Sequence, residues 1–166
     1  MDFIASSHFN LRKFVVGQDE ISLFQALKDP LVVKNMASNG ITFKDCESIV
    51  SNSLEHWQEH GIGSWGVERK CQLVGWAGFK YWKNREFEAL IVLSPSQWGL
   101  GKEILDKLLE LAVKEFKLDH LYVLLPVTRK SFRYICHIGF EYVSDETHNG
   151  EEFKKFALNL GRRLKL

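Results

Sequence analysis

Residues 93–105 read LSPSQWGLGKEIL. An apolar run, Ala89-Leu90-Ile91-Val92-Leu93, comes just before and has the look of a buried strand. A helical pattern opens just after. In GKEILDKLLELAVKEFK (101–117), Ile104, Leu105, Leu108, Leu111, Ala112 and Phe116 fall on one face. Glu103 with Lys107, and Glu110 with Lys114, have the i,i+4 spacing of surface ion pairs. Between strand and helix lie Ser94, Pro95 and Ser96, then Gly99 and Gly101. A backbone stripped of side chains at the positive end of a helix is a seat for an anion, usually a phosphate.

The chain divides readily on either side of this junction. NLRKFVV (10–16) alternates and then turns β-branched, as a first strand does. DEISLFQALKDPLVVKNM (19–36) is helical with a break before Pro30. TFKDCESIVSNSLEHWQEHG (42–61) opens on Thr42, a good N-cap, and stops at Gly61, a good C′ residue. SWGVER, QLVGWAGFKYW and EFEALIVL are strands, with polar KNRE (83–86) turning the chain between the last two. Downstream, HLYVLLPV (120–127) is a buried strand and RKSFRYICHIG (129–139) a short helix ended by Gly139. FEYVSDE and EEFKKFALNL form a closing hairpin around His148-Asn149-Gly150. The order β-α-α-β-β-β-α-β-α-β-β predicts an α/β (α+β) fold: a mixed sheet of about seven strands with about four helices. No linker, repeat or low-complexity segment interrupts it, so 1–166 is expected to be a single domain.

Composition narrows the function. Apolar residues make up 45% and charged residues 26%, the balance of a chain with a core. Basic and acidic residues number 22 and 21, which argues against a nucleic-acid partner. No apolar run approaches the roughly 18 residues of a membrane span. MDFIASSHFN lacks the basic start and apolar core of a secretory leader. Cys46, Cys71 and Cys136 are far apart and odd in number, which fits reduced thiols and a cytoplasmic setting.

Three phosphate-binding patterns compete at 97–104. A P-loop needs GxxxxGK[ST], but Glu103 stands where its hydroxyl belongs. A dinucleotide fingerprint needs GxGxxG, but Ile104 stands at the third glycine, and the motif follows four strands instead of the first. The third pattern wraps a diphosphate in backbone N–H groups at a strand–helix junction and needs neither metal nor catalytic lysine, because that phosphate is held and not cleaved.

The third pattern carries a resemblance. SPSQWGLGKEIL resembles the DPEYWGKGYATEA-type segment of the GNAT superfamily of acetyltransferases, in its branch of ribosomal-protein N-terminal (alanine) acetyltransferase-like enzymes. Four further stretches are similar to that branch in the same order: NLRKFVVGQDEISLFQALKDPLVVKNM, LEHWQEHGIGSWGVERK, QLVGWAGF and TRKSFRYICHIGFEYV. The resemblance implies a GNAT fold whose fourth and fifth strands splay apart. It implies acetyl-CoA as cosubstrate, no metal, and direct transfer of acetyl to a primary amine on a peptide or protein N-terminus or a small molecule. The coenzyme thioester and an amine are the implied partners, with no nucleic acid or membrane, and the chain acts as a monomer or homodimer. A GNAT-like acyl-CoA-binding or regulatory module without turnover is the alternative.

Residue by residue, the resemblance puts the pyrophosphate at Gln97, Trp98, Gly99, Leu100, Gly101 and Lys102, and the thioester carbonyl and pantetheine at the backbone of Ile91, Val92 and Leu93. Thr128 stands where the family has an Asn at the head of the last helix. Glu103 replaces a small residue and is expected to turn its carboxylate away from the phosphates. Glu88 is the candidate base for the acceptor amine, with a solvent-facing strand Glu as its plain reading. Ser131 is a candidate donor to the departing thiol or a stabiliser of the helix N-terminus. Tyr134 is the other candidate acid, but the superfamily's Tyr position falls on Ile135, and one residue along a helix turns a side chain by about 100°. HWQEH (56–60) matches HxxEH, but it sits at a helix end and is read as structural. Cys136 is expected to be a small buried thiol, and Trp65, Trp76, Phe79 and Trp82 to be core residues of which some line the acceptor pocket.

Overall fold

The computed structural model describes residues 1–33, 40–82, 84 and 86–161. The expected helical residues 34–36, the turn residues 83 and 85, and residues 162–166 lie outside the described residues.

Among the described residues, one sheet of eight strands organises the chain. The strands are β1 (Phe3–Ala5), β2 (Asn10–Arg12), β3 (Ser64–Arg69), β4 (Gln72–Tyr81), β5 (Phe87–Leu93), β6 (His120–Pro126), β7 (Glu141–His148) and β8 (Glu151–Asn159). Their order in space is β1-β2-β3-β4-β5-β6-β8-β7. The helices are α1 (Asp19–Leu27), α2 (Pro30–Val33), α3 (Phe43–His60), α4 (Gly101–Lys114) and α5 (Arg133–His137). The strand beyond the expected seven is β1, which pairs Phe3 with Arg12 and is too short to show a period.

The expected first strand stops at Arg12 instead of 16. The Arg12 guanidinium grips Asp19 through two bonds of 2.7 and 2.8 Å and reaches Glu68 at 2.9 Å. Asp19 also accepts from the Val15 N–H at 2.7 Å. A buried carboxylate at the head of α1 thus pulls residues 13–18 out of the sheet, and these bonds raise the Arg12 pKa. Thr42 and Asp45 form a reciprocal capping box at the start of α3, and Gly61 closes it in the left-handed conformation, both as the sequence predicts.

Alternation along the strands sorts side chains onto two faces. On the first, Phe87, Ala89 and Leu93 of β5, Leu121 and Val123 of β6, and Phe156 and Leu158 of β8 pack with Ile104, Leu105 and Leu108 of α4. On the second, Leu90 and Val92 pack against a cluster holding Leu23, Leu27, Val50 and Trp76. Tyr122, Leu124 and Phe153, on the second face of β6 and β8, belong to neither cluster.

All neighbouring strands are antiparallel except β5 and β6. That parallel pair joins only at Phe87 with Leu121 and Glu88 with Tyr122. Beyond these residues β5 runs on to Leu93 and β6 to Pro126 without pairing to each other. This is the expected splay of the fourth and fifth strands, which become β5 and β6 once β1 is counted.

Candidate active site

Glu88 occupies the last paired position before β5 and β6 part. It is half-buried, and burial pushes its carboxyl above the usual range, against the pull of Lys80 and Lys155. Lys80 is its cross-strand partner on β4. Tyr122, its partner on β6, donates its hydroxyl to Glu86 at 2.7 Å, and its pKa is pushed up to about 12 by burial first and by Glu86 second. A carboxyl of raised pKa at the mouth of a fork can accept a proton from a group entering there.

The far end of β5 leads into the junction where the sequence suggests a phosphate seat. The sequence suggests a helix opening at once on the glycines. Instead a 3-10 turn, Pro95–Leu100, comes first and runs into α4 at Gly101. Gly101 has helical angles, φ −55° and ψ −37°, so no special backbone conformation requires glycine there. What the two glycines give is room, since a Cβ at Gly99 or Gly101 meets nothing within 4 Å. The Gly101 N–H donates to the Trp98 carbonyl and the Gln97 N–H to the Ser94 carbonyl. An anion seated here would recruit those amides by loosening single bonds of one turn, each worth about 1 kcal/mol net.

The neighbouring side chains are fixed. Gln97 accepts from Arg69 at 2.6 Å, and the Trp98 indole donates to the Leu93 carbonyl at 3.1 Å. Leu100 is buried in the first core. Lys102 sets its ammonium 4.7 Å from the centre of the Tyr134 ring. Glu103 is turned onto the β1–β2 loop, accepting from Ser6 at 3.1 Å and meeting His8 Nδ1 at 2.9 Å. Lys107, expected to pair with Glu103, pairs with Glu110 at 2.9 Å, and Glu110 also holds Lys114. A cleft of about 490 Å³ opens beside the turn, lined by Gln25, Ala26, Asp29 and Ser94–Ser96 among others.

The last helix differs from expectation. It starts at Arg133, not 129, with Phe132 as its N-cap. Thr128 therefore sits in a turn where the Arg129 N–H donates to the Pro126 carbonyl, and not at a helix head. Ser131 Oγ accepts from the Arg133 N–H at 3.2 Å, which is the helix-stabilising reading of that residue. Tyr134 donates its hydroxyl to Asp106 of α4 at 3.0 Å, so together with Lys102 it braces α5 on α4. Ile135 is in the core. Cys136 is exposed, not buried as expected.

His56 Nδ1 bonds the Ile62 carbonyl and Nε2 accepts from the Tyr81 N–H at 2.7 Å. Both nitrogens are engaged, so this member of the HxxEH match ties α3 to β4. Of the aromatic candidates, Trp65, Phe79 and Trp76 are buried in the two cores, and Trp82 alone reaches the second face of β8, with its ring 5.1 Å from the Lys155 ammonium. Lys155, Tyr122 and Arg69 escape a reading of sequence. Lys155 lies in an alternating strand whose polar positions read as solvent-facing, and only the pairing of β6 with β8 brings it beside Tyr122.

A family model described as the acetyltransferase (GNAT) domain matches residues 8–141. No curated protein matches the sequence. Among solved structures the chain is similar to a GNAT-family acetyltransferase from Bacillus anthracis, at 20% identity and TM-score 0.75, covering 96% of this chain and 99% of that one. It is similar to the acetyltransferase from Salmonella typhimurium that modifies the N-terminal serine of ribosomal protein L7/L12, at 14% identity and TM-score 0.77, covering 95% and 99%. It is also similar to the microcin C7 self-immunity acetyltransferase solved with acetyl-CoA and AMP, at 15% identity and TM-score 0.76, covering 93% of each chain.

Proposed function

The chain belongs to the GNAT acetyltransferase family, and from that premise we propose that it moves the acetyl group of acetyl-CoA directly to a primary amine at the β5–β6 fork. The supporting observation is the layout of β5, with Glu88 at the vertex of the fork and the glycine-bearing turn at its other end. The acceptor nitrogen attacks the thioester carbonyl, its proton passes to Glu88 directly or through water, and the C–S bond breaks to release the coenzyme thiolate. A thiolate of pKa about 8.5 leaves readily, so positioning matters more than acid catalysis. The backbone of Ile91–Leu93 holds the pantetheine and polarises the carbonyl. Gln97–Lys102 hold the pyrophosphate, with Thr128 and Ser131 at the far wall. Tyr134 serves as a brace, since its hydroxyl is given to Asp106. Residues 1–166 act as one domain, and the free cysteine thiols suit a reducing cytoplasm. Among the described residues no helix is long and apolar enough to cross a membrane.

Titration calorimetry with acetyl-CoA, with ATP as the competing phosphate ligand, tests the first half of this reading. Saturable acetyl-CoA binding with no ATP binding is expected. Binding of ATP in preference would return the phosphate turn to nucleotide chemistry.

A further inference from the structure

The second face of β6 and β8 holds a group of side chains that the transfer reaction does not use. Tyr122 and Lys155 lie on it together, and the Lys155 ammonium sits 4.1 Å from the centre of the Tyr122 ring and 5.1 Å from that of Trp82. His148, at the end of β7, packs edge-on against Trp82 and against Phe153, with ring centres 5.8 and 5.9 Å apart. Glu88 shares this face and feels the charge of Lys155.

Two polar groups here are incomplete. Lys155 is only 9% exposed, yet among the described residues its ammonium has no hydrogen bond and no carboxylate within ion-pair distance. A buried lysine is ordinarily paired, because taking its charge out of water is expensive. Aromatic faces satisfy such a cation in part and leave N–H donors open. The second group is His148 Nε2, which is buried without a hydrogen-bond partner among the described residues, another state that is rare and costly. Two unsatisfied nitrogens flank the Trp82 ring, on the face that carries the proposed base, and call for an oxyanion that accepts from both.

We propose that Lys155 and His148 hold the carboxylate of the acceptor whose primary amine is presented to Glu88, so that the site selects amines bearing an acidic group. This rests on the acetyl-transfer reading and adds the acceptor's chemistry to it. The Trp82, Tyr122 and Phe153 rings beside the two nitrogens lower the local polarity, which strengthens the carboxylate's bonds to them.

The test is a set of matched acceptors assayed by thiol release from acetyl-CoA. β-Alanine is compared with β-alaninamide, and alanyl-glutamyl-alanine amide with its glutaminyl counterpart. The first pair asks for a small amino acid and the second for an acidic peptide N-terminus. A charge-assisted contact is expected to favour the carboxylate member of at least one pair by about 10- to 100-fold in kcat/KM. In Lys155→Met, which keeps the packing against both rings, that preference should vanish, and His148→Leu should reduce it. A lysine acting only as counter-charge to Glu88 would slow both members of a pair equally. Thermal-shift titration with the same four compounds reads selection in the absence of turnover. Equal rates and equal shifts within both pairs, or a preference that survives in Lys155→Met, would overturn the proposal. Transfer to the neutral amines alone would overturn it and leave acetyl transfer standing. Failure of every amine to raise thiol release would instead remove the transfer reading, and the thermal shifts would still decide the carboxylate.

Discussion

Replacing Glu88 with Gln removes a base from the vertex of the fork and keeps its shape and hydrogen-bonding reach. In the folded chain this carboxyl holds its proton to higher pH than in the unfolded chain, because burial disfavours the charge and Lys80 and Lys155 reverse only part of that effect. A carboxylate so lifted is the better base near neutrality. A positioned base contributes about 10²–10⁴-fold, equivalent to roughly 3–5 kcal/mol of barrier. Glu88 is only half-buried, so water can take over part of the task, and the low end, about a 10²-fold loss of kcat, is expected. Acetyl-CoA affinity should hardly change, and the loss should shrink as pH rises and more free amine is already neutral. Stability should move the other way. With a raised folded pKa, ionisation lowers stability as pH climbs from the unfolded value near 4.5 through the higher folded one. Glu88→Gln abolishes this term, so the variant should be at least as stable as wild type in mild alkali, with the gain fading as pH falls toward 4.5. Steady-state rates on an active acceptor across a pH series, with thermal melts of both proteins, provide the assay. A kcat within about twofold of wild type throughout is too small for a general base and would refute the assignment.

Substitutions at three other positions probe the proposed coenzyme arm and the scaffold. Gly101 has helical angles and open space at its Cβ, so Gly101→Ala should raise the stability of the free protein by about 0.5 kcal/mol, whereas the branched Gly101→Val should lose most acetyl-CoA affinity in calorimetry. A Gly101→Val protein that is folded and binds normally would move the pyrophosphate elsewhere. Glu103→Ala frees Ser6 and His8 and should lower stability by less than about 1 kcal/mol, as partly exposed ion pairs do, with acetyl-CoA affinity unchanged or higher; a clear loss of affinity would give Glu103 a direct role. Burial holds the His56 pKa below 6.5, so the unfolded chain takes up that proton first and stability should fall as pH drops through 6.5. His56→Ala, by orphaning the Ile62 carbonyl and the Tyr81 N–H, should lose about 1–3 kcal/mol in urea unfolding at neutral pH and show a flatter acid limb.

Long periodic segments carried most of the fold on their face. The apolar stripe of α4, the Thr42 and Gly61 caps of α3, and the Asn149-Gly150 turn, where both residues have positive φ, follow from local chemistry alone. β1 has three residues and exists only because β2 offers it an edge, so no pattern within it could announce it. The head of α5 lies four residues later than the pattern suggests because the residues after Pro126 form a separate turn closed by the Arg129 N–H. At the site, Glu88 could be named from its strand, but its place at the vertex depends on where β5 stops pairing with β6, which is a property of two strands far apart in sequence. Lys155 was invisible for the same reason: its burial comes from Tyr122 and Trp82, which the chain brings together only through the sheet.

Acetyl transfer itself is most directly tested by following thiol release from acetyl-CoA with and without a primary amine, with the acetylated product identified by mass spectrometry. The account predicts release that saturates with amine concentration and matches the acetylated amine mole for mole. Acetyl-CoA that binds but is hydrolysed no faster with any amine than in buffer would contradict it, and would make the chain an acyl-CoA-binding module on a GNAT fold.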